Sequence, residues 1–196
     1  MAQTRVELRE ATRERVLAAA DRLFRERGFE AATVRNIADA SGMSVGSVMA
    51  VGDKNGLLVQ IFDGLIEAGH ERPTPDSGDD ASCAWRIVDL VRPFVSLFAS
   101  RQDLSRVYAS IQVSGKEPSP LFSRLAVLLV DDIAAAILRH GCTPVEAVAP
   151  TAQAIYFAYI GTLFSWSARP TIDENELTDS LHATFAAICT CKEQPR

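Results

Sequence analysis

Apolar residues recur along this chain at intervals of three and four, the period of an amphipathic α-helix. From Thr12 to Arg27, Val16, Ala20, Leu23 and Phe24 form one stripe. Gly28 stands where a helix end favours a positive φ, and Phe29 is placed to fold back over the last turn. Thr33 offers an N-cap oxygen for a short helix from Val34 to Ala40, with Ile37 and Ala38 facing inward. After a Ser41-Gly42-Met43 turn, Ser44 caps a second short helix from Val45 to about Val51, with Val45 and Val48 as its apolar side. Asp53 caps the next, which carries Leu57, Leu58, Ile61, Phe62 and Leu65 up to about Glu71.

Residues 72–82 hold no large apolar side chain and many turn formers, which predicts a loop. Helical periodicity resumes from Cys83 to about Ala99, with a kink or restart expected at Pro93. It continues over Asp103–Ser114 and Leu121–His140. Thr143-Pro144-x-Glu146 has the form of a capping box, Pro150 predicts a break, and a further helix then runs to about Ala168. The last helix starts near Asp173 and carries Leu177, Leu181, Phe185 and Ile188. No segment alternates with the period of a strand. The pattern predicts an all-α chain of about nine helices: a three-helix helix-turn-helix head over residues 1–56, then a helical domain over residues 57–196.

Composition narrows the class. The chain has 196 residues, 47% of them hydrophobic, which suits a packed core rather than a disordered chain. No apolar run approaches the ~20 residues that span a bilayer, and the N-terminus lacks a signal peptide's apolar centre. A cytoplasmic protein with no membrane partner is therefore expected. The net charge of −5 is unevenly spread: residues 1–52 carry eight Arg against seven Asp and Glu, net +1, and the remainder carries net −6. That asymmetry permits nucleic-acid binding by the N-terminal segment without demonstrating it. All eight N-terminal cations are Arg, the side chain best shaped for phosphate.

Candidate chemistry is sparse. His70, His140 and His182 follow neither metal-ligand nor catalytic-triad spacing, and no Gly-rich phosphate loop is present, so no enzyme is expected. Of Cys83, Cys142, Cys189 and Cys191, only the last two are close. On a helix, Cys-x-Cys points its thiols about 200° apart, a poor clamp. Neither a metal site nor a cofactor is expected, and the four thiols read as reduced small hydrophobes.

The informative constellation lies in the head. Two short helices joined by a Gly-containing turn match the helix-turn-helix unit, whose second helix enters the major groove. Helix starts at Thr33 and at Asp53-Lys54 offer free N–H groups to phosphate. Ser44, Ser47 and the bare backbone at Gly46 allow close approach to DNA. Over Arg13–Leu58 this stretch resembles the tetracycline-repressor-like (TetR) family. Val16, Leu17, Ala20, Leu23, Phe24, Gly28, Phe29, Thr33, Ile37, Ala38, Gly42, Ser44, Gly46 and Ser47 fit that family's pattern position by position.

The resemblance implies a ligand-responsive transcriptional regulator, a repressor, that binds a palindromic double-stranded DNA operator as a homodimer and is released by a small-molecule effector. Expected DNA-binding residues are Thr33, Arg35, Ser44, Val45, Gly46, Ser47, Met49 and Lys54, the last matching the family's phosphate-binding lysine. One departure stands in the reading helix. Val48-Met49-Ala50-Val51-Gly52-Asp53-Lys54 is one residue shorter than the family's pattern and lacks its aromatic phosphate contacts. Val48, Met49 and Val51 read equally as core packing, and Arg35, Arg5 or Arg9 would have to supply affinity instead. The alternative is a ligand-binding or interaction protein of the same fold with weakened or lost DNA binding.

For the second domain the family implies an effector pocket and a dimer formed by the last two long helices. Ligand-binding candidates are Trp85, Phe98, Tyr108, Gln112, Phe122, Gln153, Tyr156 and Phe157, with Phe94 a further aromatic, each also readable as core. The effector should be mostly apolar. The helix at 151–168 is apolar around most of its circumference, which predicts burial on two sides. Dimer-interface candidates are Ile155, Tyr159, Thr162, Leu163 and Trp166 there, with Leu177, Leu181, Phe185 and Ile188 on the last helix.

Overall fold

The computed structural model describes residues 4–71, 81–115, 117, 119–189 and 191, and the described residues form nine α-helices. These are α1 (Arg5–Arg27), α2 (Val34–Ser41), α3 (Val45–Val51), α4 (Lys54–His70), α5 (Cys83–Ser100), α6 (Gln102–Ser114), α7 (Pro120–His140), α8 (Val145–Ser167) and α9 (Glu174–Ile188). No strand occurs among the described residues. The loop expected at 72–82 lies outside them over residues 72–80.

The chain packs as two compact units, Met1–Leu65 with Asp103–Ser119, and Ile66–Gln102 with Pro120–Arg196. The expected boundary at residue 56 falls inside α4, a continuous helix with residues in both units. In the first unit α2 packs on α1 and α3 around Val16, Ala20, Phe24, Ile37, Val48, Leu57 and Leu58. Tyr108 joins them from α6, a helix distant in sequence. Its ring stacks on Phe62 at 4.7 Å and its hydroxyl donates to Asp63 Oδ1 at 3.3 Å. The second unit pairs α7 with α8 and α5, and α9 with α5 and α8, over a core of Ile87, Val91, Ile133, Ile137, Ile155 and Phe185.

Several local expectations are corrected. Helix α1 begins at Arg5, not Thr12, because Thr4 and Glu7 form a capping box about two turns earlier. Neither proline ends its helix: Pro93 lies within α5 and Pro150 within α8. Each forfeits a single backbone bond, and apolar burial on both sides holds the helix through it. The Thr143-Pro144-x-Glu146 box does not form. Pro144 occupies the N-cap without a side-chain bond, and Thr143 is buried instead. Helix α8 is also longer than expected, and its 23 residues are apolar enough by length and composition to cross a membrane. In the second unit it lies against α7 and α9, which bury one side of it.

Candidate DNA-binding face and ligand cavity

The head is fastened by its caps. Thr33 Oγ1 accepts from the Asn36 backbone N–H at 3.1 Å, and Asn36 Oδ1 accepts from both the Thr33 hydroxyl and its N–H. Gly42, at φ +67, turns the chain between α2 and α3 in a conformation costly for other residues. Arg15 reaches over that turn to donate to the Ser41 carbonyl at 2.9 Å. Ser44 Oγ then accepts from the Ser47 N–H at 3.0 Å and starts α3.

On α3 the two readings of the apolar residues separate cleanly. Val48 is completely buried, whereas Val45 is 47% and Met49 50% exposed. Gly46 and Ala50 are exposed beside them, and Ser47 is partly so. The outward face of the second helix is therefore small, apolar and uncharged, with a serine-capped N-terminus. Arg5, Arg9 and Arg35 are all exposed in the same unit. Lys54 is engaged within the head. Its ammonium lies 4.3 Å above the Phe29 ring and donates to the Glu30 carbonyl at 3.3 Å. At the far end of α3, Gln60 donates to the Val51 carbonyl at 3.0 Å while accepting from Arg13 Nε at 3.0 Å.

A cavity of about 500 Å³, counted to its open mouth, lies within the second unit. Four helices line it with residues one turn apart: Ile66 and His70 from α4, Phe94 and Phe98 from α5, Phe122, Leu125, Ala126 and Leu129 from α7, and Tyr156, Tyr159, Ile160 and Leu163 from α8. Its polar groups are few. Burial raises the Tyr156 and Tyr159 phenols above their usual pKa, so both stay neutral donors. His70 Nε2 stands 3.9 Å from Asp132.

Of the expected ligand residues, Phe98, Phe122, Tyr156 and the further aromatic Phe94 line this cavity. The others lie elsewhere. Tyr108 and Gln112 belong to the first unit, Tyr108 in its core. Trp85 stacks on His182 at 4.0 Å, Gln153 is exposed, and Phe157 is 63% exposed. His70, Leu125 and Leu129 also line the cavity, as do Tyr159 and Leu163, which were expected at the dimer face. The four- and seven-residue spacings on α7 and α8 were legible as stripes, but a stripe facing a cavity looks like one facing core.

The expected dimer face is likewise corrected. Ile155, Tyr159, Trp166, Leu177, Leu181 and Phe185 are buried within their own unit. Thr162 and Leu163 are partly covered, Leu163 by the cavity, and Ile188 is half-buried. The outward face of α8 carries Ala154, Phe157, Gly161 and Phe164, and that of α9 carries Ala183, Ala186 and Ala187.

The thiols are not where helical geometry put them. Helix α9 ends at Ile188, and Cys189 is extended, so Cys-x-Cys follows the helix rather than lying on it. The Sγ atoms of Cys83, Cys142 and Cys191 and a ring nitrogen of His140 all lie within 4.8 Å of one another.

Comparison with known proteins agrees with this architecture. Residues 16–50 match the sequence model of bacterial regulatory proteins, tetR family. No curated protein sequence matches. Among solved structures, FadR from Thermus thermophilus, a TetR-family transcriptional repressor in complex with lauroyl-CoA, superposes with a TM-score of 0.65 at 22% identity over 94% of this chain and 98% of its own. A transcriptional regulator from Rhodococcus sp. Rha1 gives 0.60 at 16% over 92% and 98%. A TetR variant from Acinetobacter baumannii in complex with minocycline gives 0.57 at 16% over 88% and 91%. The class is a helix-turn-helix head on a helical domain with its own cavity. Within that class, the head carries the tetR-family motif and the chain as a whole has the fold of tetR-family transcriptional regulators.

Proposed function

We propose that this chain is a ligand-responsive transcriptional regulator, a repressor, that binds a palindromic operator as a homodimer and is released by a small, mostly apolar effector. The observation that carries the reading is the unpartnered outer face of α3, held between the Ser44 cap and the Gln60 tether. Val45, Met49 and Ala50 suit apolar contact with thymine methyl groups, and Ser44 and Ser47 supply hydroxyls. Arg35, with Arg5 and Arg9, supplies the phosphate contacts that the shortened α3 lacks.

The effector reading rests on the cavity, whose walls are largely apolar with a few polar groups among them. FadR holds an acyl thioester, and an elongated apolar molecule with one polar end fits the aromatic walls and the two tyrosines here. Helix α4 runs unbroken from Lys54 in the head to Ile66 and His70 on the cavity wall. An effector bound more tightly in one of two α4 positions would shift the heads' population. The outer faces of α8 and α9 would join two copies.

A second reading, the same fold with DNA binding weakened, is favoured by the engagement of Lys54 with Phe29 and Glu30. Selection of DNA fragments from a random pool, followed by fluorescence anisotropy across salt concentrations, separates the two. A palindromic consensus bound with a steep salt slope supports the regulator. No enrichment at low salt defeats it.

A further inference from the structure

All four cysteines of the chain and one of its three histidines meet at one place in the second unit. We propose that Cys83, Cys142, Cys191 and His140 form a closed four-ligand site for a thiolate-preferring divalent cation of the zinc type. The donor set is three sulfurs and one imidazole nitrogen, a combination that zinc takes in structural sites. Four donors complete its tetrahedron and leave no open position.

The geometry is close to what the ion needs. With metal–sulfur bonds of about 2.3 Å, sulfurs at tetrahedron corners stand roughly 3.8 Å apart. The Cys191 sulfur already lies 3.8 Å from His140 Nδ1, and no pair in the set exceeds 4.8 Å. A contraction of about one ångström at the longest pairs closes the shell. Three separate parts of the chain supply it. Cys83 is the buried first residue of α5, and His140 ends α7. Gly141, at φ +69, reverses the chain so that Cys142 returns toward the same point. Cys191 arrives from beyond α9. Cys189, 3.7 Å from Cys83, sits beside the set as a neighbour rather than a member.

Three sequence-distant segments bringing three thiols and an imidazole to one point is more than small hydrophobes require. Cys142 and Cys191 are only partly buried, so packing does not explain them. A bound ion would pin the segment after α9 to the ends of α5 and α7. The role is structural, because a closed shell binds no substrate. Since the unfolded chain offers no such shell, binding stabilises the folded unit.

The test uses the full, reduced chain and cobalt(II) as a spectroscopic stand-in, with zinc as competitor. One equivalent of cobalt should give visible bands of tetrahedral intensity and a thiolate charge-transfer band, both erased by zinc. Zinc alone should raise the melting temperature by several degrees. Cys142→Ser and Cys191→Ser, at partly buried positions, should each weaken cobalt binding by at least ~100-fold while the metal-free fold is unchanged by circular dichroism. His140→Ala should do the same. No tetrahedral spectrum at one equivalent, or affinity retained in both serine variants, overturns the site. So does a reduced chain that takes up no metal but joins Cys83 to Cys189 in air, which would make the cluster a thiol–disulfide pair.

Discussion

Gln60 holds the last turn of α3: its side-chain amide donates to the Val51 carbonyl at 3.0 Å. The same side chain accepts from Arg13 Nε, so α1, α3 and α4 meet at one residue. The carbonyl of the last α3 residue, left without an intrahelical donor, is satisfied there by a side chain from outside the helix. Gln60→Ala should cost about 1 kcal/mol of stability. It should cost more in operator affinity, because α3 loses its fixed end. Urea denaturation and anisotropy titration on the same protein read the two effects. Equal affinity for the variant and the parent would show that the tether does not position α3.

Gly52 gives an independent approach to the same contact. A Cβ there would stand 3.2 Å from Gln60 Nε2 and 3.4 Å from the α4 backbone at Gly56 and Leu57. Gly52→Ala should displace the Gln60 amide and reproduce the affinity loss of Gln60→Ala. The double variant should then be no worse than either alone. A fully additive double variant would separate the two residues.

Arg35 and Met49 should affect DNA binding differently. Removing a phosphate contact weakens all sequences alike and lowers the salt slope by about one, whereas removing a base contact relaxes preference at one position. Arg35→Ala is expected to do the first and Met49→Ala the second. Affinity against log salt for a panel of single-base operator variants measures both. An unchanged slope for Arg35→Ala removes it from the phosphate contacts.

Filling the cavity should abolish effector response without unfolding the chain. Ala126→Phe places a ring among Phe122, Leu129 and Tyr156. The open cavity accommodates part of it, so the expected stability change is within about 1–2 kcal/mol. Operator binding should persist while effector-induced release is lost. Release at unchanged effector concentration would place the effector elsewhere.

The outer face of α8 should control assembly. Phe157→Glu and Phe164→Glu change exposed side chains, so the single-chain fold should survive while sedimentation shifts from dimer to monomer. Ile155→Ala should instead cost about 2–5 kcal/mol through a buried cavity and leave the assembly state of the folded fraction unchanged. Dimers of unchanged affinity in both glutamate variants would place the interface on another surface.

Much of this protein was determined by local sequence. The 3.6-residue period placed nine helices, because burial of one apolar stripe is a requirement each segment meets by itself. The Thr33, Ser44 and Asp53 caps and the Gly28 and Gly42 turns were legible because capping acts within four residues. Of those positions, Gly28, Thr33, Gly42 and Ser44 lie within the tetR-family match, so the fold of the head was readable from the sequence. What required the tertiary structure was every question of which neighbour a stripe meets. Ile155 and Phe157 are two residues apart on a helix apolar nearly all round, and only packing against α7 and α9 made one core and the other surface. Tyr108 read as a pocket aromatic until α6 packed it against Phe62 and Asp63. The meeting of Cys83, His140, Cys142 and Cys191 depends on separations of up to 108 residues (191 − 83) and on where α9 stops. Periodicity reports that a side chain will be buried, while the identity of its partner is a long-range property that no local pattern encodes.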